Sequence, residues 1–196
     1  MAQTPGEKTM QRLFVAIELP DDVRRLLVGR QTGISGVRWV LPENLHLTVR
    51  FIGEAPQSQV PAIKMGLRHV SGHTFSLQVK GLGHFDKRLQ TILWAGITPS
   101  PDLAALKRQV DDSLAFHADM RNDDSRFLPH ITLGRTKQTD RTALKAFAPE
   151  SGLTTGTVFT VESFTLFSSV LVPGGAMHSV EERYPLQGAA MPFPTL

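Results

Sequence analysis

The sequence predicts an α+β fold with two pseudo-symmetric lobes, each built on an antiparallel sheet, around a central cleft with helices on the outside. The phrase "HLTV" that begins at His46 is nearly repeated as "HITL" at His130. Each phrase is followed in the predicted pattern by one helix and then by strand segments. Self-similarity of this size indicates a duplicated unit, and the pattern favours antiparallel pairing over a parallel doubly wound sheet.

The composition is that of an ordinary globular domain. The 196 residues are 41% apolar and 20% charged, and they are enough for one compact unit but too few for two independent domains. The absence of cysteine excludes disulfides, thiolate metal sites and cysteine nucleophiles, and it fits a reducing compartment, so we expect a cytoplasmic protein. Lys and Arg outnumber Asp and Glu by 21 to 18, a mild bias that is compatible with a phosphate-bearing ligand.

We expect one domain over residues 12–187, made of two intertwined lobes, between a flexible N-terminal tail at 1–11 and a C-terminal tail at 188–196. The longest apolar run, "LFVAIEL", contains Glu18 and is much shorter than the roughly 20 residues of a membrane span. We therefore expect no membrane association.

Apolar periodicity and turn residues divide this domain into alternating elements. The predicted helices are "DDVRRLLVGRQTG", "SQVPAIKMGLRHVSG", "SPDLAALKRQVDDSLAFHA" and "DRTALKAFA". The predicted strands are "RLFVAIEL", "VRWV", "LHLTVRFI", "TFSLQVKGL", "TILWAGIT", "HITLGRT", "GTVFTVESFTLFSSVLV" and "HSVEERYPL". The clearest helix has Ser100 as its N-cap and Pro101 at its first position.

The repeated phrases place polar side chains together. Because side chains alternate along a strand, His46 and Thr48 share one face, about 7 Å apart at Cα, while the neighbouring aliphatic residues face the core. His130 and Thr132 share a face in the same way. The same alternation predicts the polar face for Arg50 and Ile52, and the core face for Phe51.

Two histidines and two hydroxyls suit the opening of a cyclic phosphodiester. That reaction needs a base for water and an acid for the departing oxygen, and two imidazoles can hold opposite protonation states near neutrality. The hydroxyls of Thr48 and Thr132 can donate to phosphate oxygens, and Arg135 is the nearest cation to the second phrase. Simple alternation puts Arg135 on the wrong face for this role, unless Gly134 bends or bulges the strand.

On these residues the chain resembles the two-histidine phosphoesterase superfamily, and within it the LigT-like RNA 2′,3′-cyclic phosphodiesterases, once described as 2′-5′ RNA ligases. The resemblance covers residues 12–187. It includes both HxTx phrases, the opening "RLFVAIELP", "FIGE" after the first phrase, Arg135 after the second, and the closing strands "FTLFSS" and "YPL".

The resemblance implies a bilobal fold and metal-independent hydrolysis of RNA 2′,3′-cyclic phosphate ends to 2′-phosphates. By family precedent His46 is the proton donor to the leaving 3′ oxygen and His130 is the base that activates water. Thr48, Thr132 and Arg135 would hold the phosphate. The two labels remain exchangeable, because the reverse reaction, 2′-5′ ligation, uses both groups in opposite senses.

The expected partners are RNA ends with a 2′,3′-cyclic phosphate, tRNA fragments among the candidates, or cyclic nucleotides. We expect a monomer without cofactor or metal. Two other hypotheses stay open: a nucleotide- or RNA-end-binding module that uses the same cleft without turnover, and a histidine metal site, which the lack of Cys and of acidic residues in both phrases disfavours.

The remaining histidines and aromatic residues have plainer interpretations. We interpret His69 and His73 as solvated, and the isolated His84, His117 and His178 as surface or capping residues. Trp39 and Trp94 are interpreted as core anchors. Phe51 stands in the first phrase where Arg135 stands in the second; packing in the core is its predicted role, with stacking on a nucleobase as the alternative.

Overall fold

The computed structural model describes residues 9–32, 34–121, 126–137, 141–147, 156–173 and 175–188. In these ranges the chain forms nine strands, four α-helices and two short 3₁₀ helices. The strands are β1 (Met10–Glu18), β2 (Arg38–Trp39), β3 (His46–Pro56), β4 (Phe75–Lys87), β5 (Gln90–Ile97), β6 (His130–Thr136), β7 (Thr157–Val161), β8 (Ser163–Val172) and β9 (Gly175–Pro185). The helices are α1 (Asp21–Val28), α2 (Val60–Arg68), α3 (Pro101–Ala118) and α4 (Arg141–Phe147).

All strands join one antiparallel sheet in the order β7-β4-β5-β6-β3-β1-β8-β9, and β2 adds a short pairing to β6. The sheet consists of two halves of four strands. We call β3, β1, β8 and β9 the first lobe, and β7, β4, β5 and β6 the second lobe. The inner strands β3 and β6 connect the lobes through the pair Leu47 and Ile131. The predicted bilobal α+β fold with antiparallel sheets is confirmed.

The duplication is visible in how each inner strand is reached. In the first lobe, β1 is followed by α1 and then by its antiparallel neighbour β3. In the second lobe, β5 is followed by α3 and then by its antiparallel neighbour β6. Each HxT strand is therefore the second strand of a strand–helix–strand unit, and the two units meet edge to edge.

The core lies between one face of the sheet and the helices. Leu47, Val49 and Ile131 pack there with the apolar stripe of α3 at Leu103, Leu106, Val110 and Leu114. The Ser100 Oγ accepts a hydrogen bond from the Leu103 N–H at 3.2 Å, so the predicted N-cap of α3 is confirmed. Pro61 lies in the first turn of α2, a position that leaves the helix intact. The histidines of the two phrases are left for the opposite face of the sheet.

One predicted strand is wrong in extent. Residues 156–172 were expected to form a single strand, but the chain breaks at Glu162 into β7 and β8. Strand β7 pairs with β4 in the second lobe, while β8 pairs with β1 in the first lobe. The chain therefore crosses between lobes at Glu162, where the apolar positions also change phase, from Phe159 and Val161 to Phe164 and Leu166.

Smaller differences concern the loops. The "LPEN" turn contains a 3₁₀ helix at Pro42–Asn44, and the predicted strand "VRWV" shortens to two residues. Four parts of the prediction lie outside the described residues: the end of the first helix at Gly33, both ends of the helix "DRTALKAFA" at Asp140 and Ala148, and residues 1–8 and 189–196 of the expected tails. Among the residues described, the structure contains no helix that combines the length and the apolar character of a membrane span.

Candidate active site

The two repeated phrases meet at the seam between the lobes. Leu47 of β3 pairs with Ile131 of β6, so His46 and His130 each lie one residue before the bridge that joins the lobes. In an antiparallel register this sets His46 across from Thr132, and His130 across from Thr48. The two histidines are then diagonal neighbours, a relation in which Cα atoms lie about 7–8 Å apart.

A β-bulge lies at the last residue of each phrase. Opposite β1, residue Val49 is the extra residue in β3, and opposite β5, residue Leu133 is the extra residue in β6. Each bulge reverses the alternation of side chains that follows it. Arg135 is consequently exposed on the face that carries His130 and Thr132, as a bend near Gly134 would require.

The same bulge overturns two expectations for the first phrase. Arg50, predicted on the polar face, is buried on the core side, where it forms an ion pair with Asp111 of α3 at 3.5 Å. Phe51, predicted in the core, is 48% exposed. Phe51 thus occupies in the first lobe the position that Arg135 occupies in the second.

Both phrase histidines are held by the same kind of tether. The His46 Nδ1 lies 2.7 Å from the Asn44 carbonyl oxygen, and the His130 Nδ1 lies 2.7 Å from the Leu128 carbonyl oxygen. A carbonyl has no proton to give, so each Nδ1 carries the hydrogen and donates it. In the neutral rings the lone pair is then on Nε2, which makes no hydrogen bond with any described residue.

The rings have different neighbours in the two lobes. His46 packs against Phe14, with ring centroids 4.9 Å apart, and lies edge-on to His178 at 5.4 Å and 86°. His130 lies edge-on to Phe85 at 5.1 Å and 85°. The two edge-on partners have matching geometry, but one is an imidazole and the other is a phenyl ring.

Burial and neighbouring cations keep the histidines neutral. Burial lowers the pKa of His46 to about 4 despite the opposing hydrogen bond to Asn44, and the charges of His178, Arg135 and His130 lower it further. Burial likewise lowers the pKa of His130, to which Lys87 and Arg135 contribute. Both rings are therefore uncharged at neutral pH before an anion arrives.

Four cations surround the histidines. Arg135 lies across from Arg38 in the β2–β6 pair, and partial desolvation together with Arg38 and Arg12 lowers the pKa of Arg135. The charge of Lys87, at the end of β4, contributes to the lowered pKa of His130. Within the described part of the chain none of these four side chains forms an ion pair. The seam therefore has an unneutralised positive potential, which attracts anions.

The sequence also matches a family of known proteins. The family model described as "LigT like Phosphoesterase" matches residues 17–94 and again residues 97–178, so that each match contains one HxT phrase. The chain belongs to the LigT-like phosphoesterase family. The expected family membership is confirmed, and the double match reflects the duplication seen in the sheet.

Relatives in this family resemble the chain over nearly its whole length. The RNA 2′,3′-cyclic phosphodiesterase of Thermus thermophilus is 32% identical over 188 residues, which are 90% of this chain and 91% of the relative. The protein of the same name from Archaeoglobus fulgidus is 30% identical over 171 residues, which are 85% of this chain and 96% of the relative. The apo crystal structure of E. coli LigT superposes with a TM-score of 0.75 at 26% identity, covering 91% of this chain and 99% of that one. That LigT has also been crystallised with phosphate, a structure that matches with a TM-score of 0.70 at 25% identity.

The structure adds residues of this LigT-like site that sequence reasoning missed. His178, interpreted as an isolated surface or capping residue, lies beside His46 because β9 pairs with β8 and β8 with β1. Arg12 lies in β1, between β3 and β8, and Lys87 lies in β4, which reaches β6 through β5. No local pattern marks any of the three, since their position depends on strand order.

The remaining histidines lie away from the seam. His69 stacks on His117 with ring centroids 4.4 Å apart, and His84 lies 4.0 Å from a carboxylate oxygen of Asp86. Trp39 packs against the core, as expected, while Trp94 contacts Phe85 and is partly exposed. No group of three or more His, Cys, Asp or Glu side chains in the described ranges is arranged to hold a metal ion.

Proposed function

We propose that the chain hydrolyses RNA 2′,3′-cyclic phosphate ends to 2′-phosphomonoesters by acid/base catalysis with His46 and His130, without a metal. Family membership and two relatives of that name at 30% identity or more support the reaction. The five residues that we assign to it, His46, Thr48, His130, Thr132 and Arg135, all come from the inner strands β3 and β6.

One observation carries the proposal. Two histidines flank the pair that joins the lobes, and each has its Nδ1 fixed by the carbonyl two residues earlier, which leaves Nε2 without a protein partner in the described chain. Because a hydrogen bond holds Nδ1 of each half-buried ring, the orientation of the ring is set and Nε2 points in a defined direction. Two such nitrogens at one seam are what in-line attack on a single phosphorus atom requires.

The reaction needs one proton removed and one proton given. In the proposed direction His130 Nε2 takes a proton from water while the water oxygen bonds to phosphorus. The bond from phosphorus to the 3′ oxygen breaks, and His46 Nε2 protonates that oxygen. The product keeps its phosphate on the 2′ oxygen, and the proton returns from His130 to His46 through solvent, so that one water is consumed per turnover.

The charge on the phosphate has two kinds of partner. The half-buried hydroxyls of Thr48 and Thr132 can donate to its non-bridging oxygens, and the Arg135 guanidinium offsets its negative charge. The same negative charge raises the pKa of the neighbouring imidazoles. His46, neutral in the free protein, is therefore expected to take up its proton as the substrate binds.

A hydrolysis assay tests this function. The wild-type chain, given a 2′,3′-cyclic phosphate-ended oligoribonucleotide in excess chelator, is expected to form only the 2′-phosphate. His46→Ala and His130→Ala are each expected to lower the rate by roughly 10²–10⁴, the usual contribution of one general acid or base.

The matched control is His84→Ala, which removes an exposed ring from β4 and is expected to leave the rate unchanged. Circular dichroism should show that all three variants fold, because the replaced side chains lie outside the core. Tight binding of the RNA end with no product would contradict hydrolysis in favour of a binding module. Activity that disappears with chelator and returns with added metal would contradict the metal-free mechanism.

A further inference from the structure

A second set of polar side chains lies next to His46 on the outer strands of the first lobe. Arg12 of β1 is the register partner of Ser169 of β8, and Ser169 is the register partner of His178 of β9. Register partners on adjacent strands have their side chains on the same face, about 4.5–5.5 Å apart at Cβ. We call these three residues the Arg12 row.

The row lies directly beside the proposed catalytic phosphate. The His178 ring is edge-on to His46, and both rings pack on Phe14, so one aromatic support carries the row and the catalytic ring. Asn44 strengthens this connection, because its carbonyl accepts from His46 while its side-chain amide donates to the Ala176 carbonyl of β9 at 2.8 Å. The distance between the row and His46 is thereby fixed.

Arg12 and His178 form no ion pair or hydrogen bond with the other described residues. The Arg12 guanidinium lies over the Phe51 ring, 4.9 Å from its centroid, and forms no ion pair among the described residues, although Glu54 is its register partner on β3. The His178 Nδ1 is buried without a hydrogen-bond partner, and the ring forms no hydrogen bond with any other described residue. An unpaired guanidinium at a half-buried position fits an anionic ligand.

Electrostatics extend the row toward the catalytic site. The charges of Arg135 and Arg12 add to the effect of burial in lowering the pKa of His178. The charge of Arg12 also contributes to the lowered pKa of Arg135. One cation is enough for the single charge of a cyclic phosphate. Additional unpaired cations at a neighbouring position indicate a ligand with a second negative charge close to the first.

We propose that the Arg12 row is a second phosphate subsite, which holds the internucleotide phosphate on the 5′ side of the terminal ribose. The inference rests on the proposed function, since it takes the cyclic phosphate to lie between His46 and His130. The subsite also narrows the substrate class: the protein is expected to prefer an RNA strand of at least two nucleotides over a cyclic mononucleotide.

Two dinucleotides that end in a 2′,3′-cyclic phosphate test the subsite. One has an ordinary phosphodiester linkage and the other a neutral methylphosphonate linkage, so that they differ in charge only at the proposed subsite. The wild-type chain is expected to have a kcat/KM roughly tenfold higher for the charged linkage, the usual effect of a hydrogen bond to a charged group.

Arg12→Gln, Ser169→Ala and His178→Phe are each expected to reduce this preference, and Arg12→Gln to abolish most of it. His178→Phe places on His46 the same kind of ring that Phe85 places on His130, so the aromatic packing is kept. The preference is the ratio of the kcat/KM values for two substrates that have the same cyclic phosphate. A variant that only slows the chemical step lowers both kcat/KM values equally, so the ratio does not change. Arg12→Gln should also reduce the salt slope of kcat/KM for the charged substrate by about 0.7.

The control variant is Arg108→Gln, an exposed arginine of α3 on the other side of the sheet, which is expected to keep the wild-type preference. Equal kcat/KM values for both linkages in the wild type, or a full preference retained in Arg12→Gln, would overturn the subsite. A wild-type chain that hydrolyses neither dinucleotide would instead contradict the proposed function itself.

Discussion

At the scale of single residues, the two lobes present equivalent histidines in unequal surroundings. Each imidazole has the same tether to a carbonyl two residues earlier. His46 is the more buried, with a pKa lowered to about 4, and its edge-on neighbour is His178 rather than a phenyl ring. A duplicated site thus contains two groups of the same type that can take different roles, as acid/base catalysis requires.

The acid and base roles can be separated by the leaving group. A cyclic substrate with sulfur at the 3′ bridging position releases a thiolate, which needs little protonation. If His46 is the proton donor, His46→Ala is expected to recover most of its lost rate on this substrate, whereas His130→Ala is not. Steady-state rates on the oxygen and sulfur substrates measure the recovery. Recovery in His130→Ala but not in His46→Ala would instead make His130 the proton donor and His46 the base.

The sequence predicted the four polar side chains at the seam because strand alternation is a local property. It did not predict His178. The ring of His178 reaches His46 through two strand pairings between distant segments, and those pairings have no signature within "HSVEERYPL". Phe51 and Arg50 were misplaced for a related reason, since a bulge depends on the partner strand as well as on the residues that form it.

At the scale of secondary structure elements, the bulges at Val49 and Leu133 determine which side chains join the site. Beyond Leu133 the alternation is reversed, so Gly134 faces the core side and Arg135 faces the seam. Gly134 is under the side chains of Trp39 and Val37, and a Cβ there would lie 2.7 Å from atoms of both. The absence of a side chain at residue 134 therefore allows the β2–β6 pairing.

Gly134→Ala is expected to destabilise the protein by about 1–3 kcal/mol, the usual cost of an extra methyl group in a packed region. It should lower Tm by roughly 2–4 °C for each kcal/mol. It should also raise KM, because a shift of the bulge moves Arg135. Thermal unfolding and steady-state kinetics measure both effects.

Gly175→Ala is the matched control, since a Cβ there has no heavy atom within 4 Å, and its Tm is expected to stay at the wild-type value. Equal Tm values for the two variants would contradict the role assigned to Gly134.

At the scale of the whole molecule, two lobes of four strands are joined in the sheet at one residue pair. The duplication, the helix positions and the α3 cap were predictable, because repeated motifs, apolar periodicity and capping residues are all local signals. The crossing of the chain from β7 to β8 was not, since the change of apolar phase between Val161 and Phe164 is also what a bulge within one strand produces. Which lobe a strand joins depends on its pairing with distant strands: β7 pairs with β4 and β8 pairs with β1.

A neutral, half-buried histidine at the seam makes the whole fold acid-sensitive. The unfolded chain protonates residue 46 below about pH 6.5, whereas the folded chain does so only near pH 4, so stability falls as the pH decreases through this window. Between pH 7 and pH 4.5 His46 is expected to contribute a loss of about 2 kcal/mol. Urea unfolding of His46→Asn should therefore show a smaller loss over this interval than the wild type.

His84→Asn, at an exposed position, serves as the control and is expected to lose as much stability as the wild type. An acid sensitivity in His46→Asn equal to that of the wild type would show that folding does not lower the pKa of His46.

The most direct test of the central claim, that His46 and His130 act on one phosphate, is a crystal structure with the 2′-phosphomonoester product. The decisive quantities are the two distances from the histidine Nε2 atoms to the oxygens of the product phosphate. Both are expected to lie in the hydrogen-bond range of about 2.6–3.2 Å, with the phosphate between β3 and β6. A phosphate contacted by only one of the two rings, or bound away from the seam, would contradict the paired-histidine mechanism.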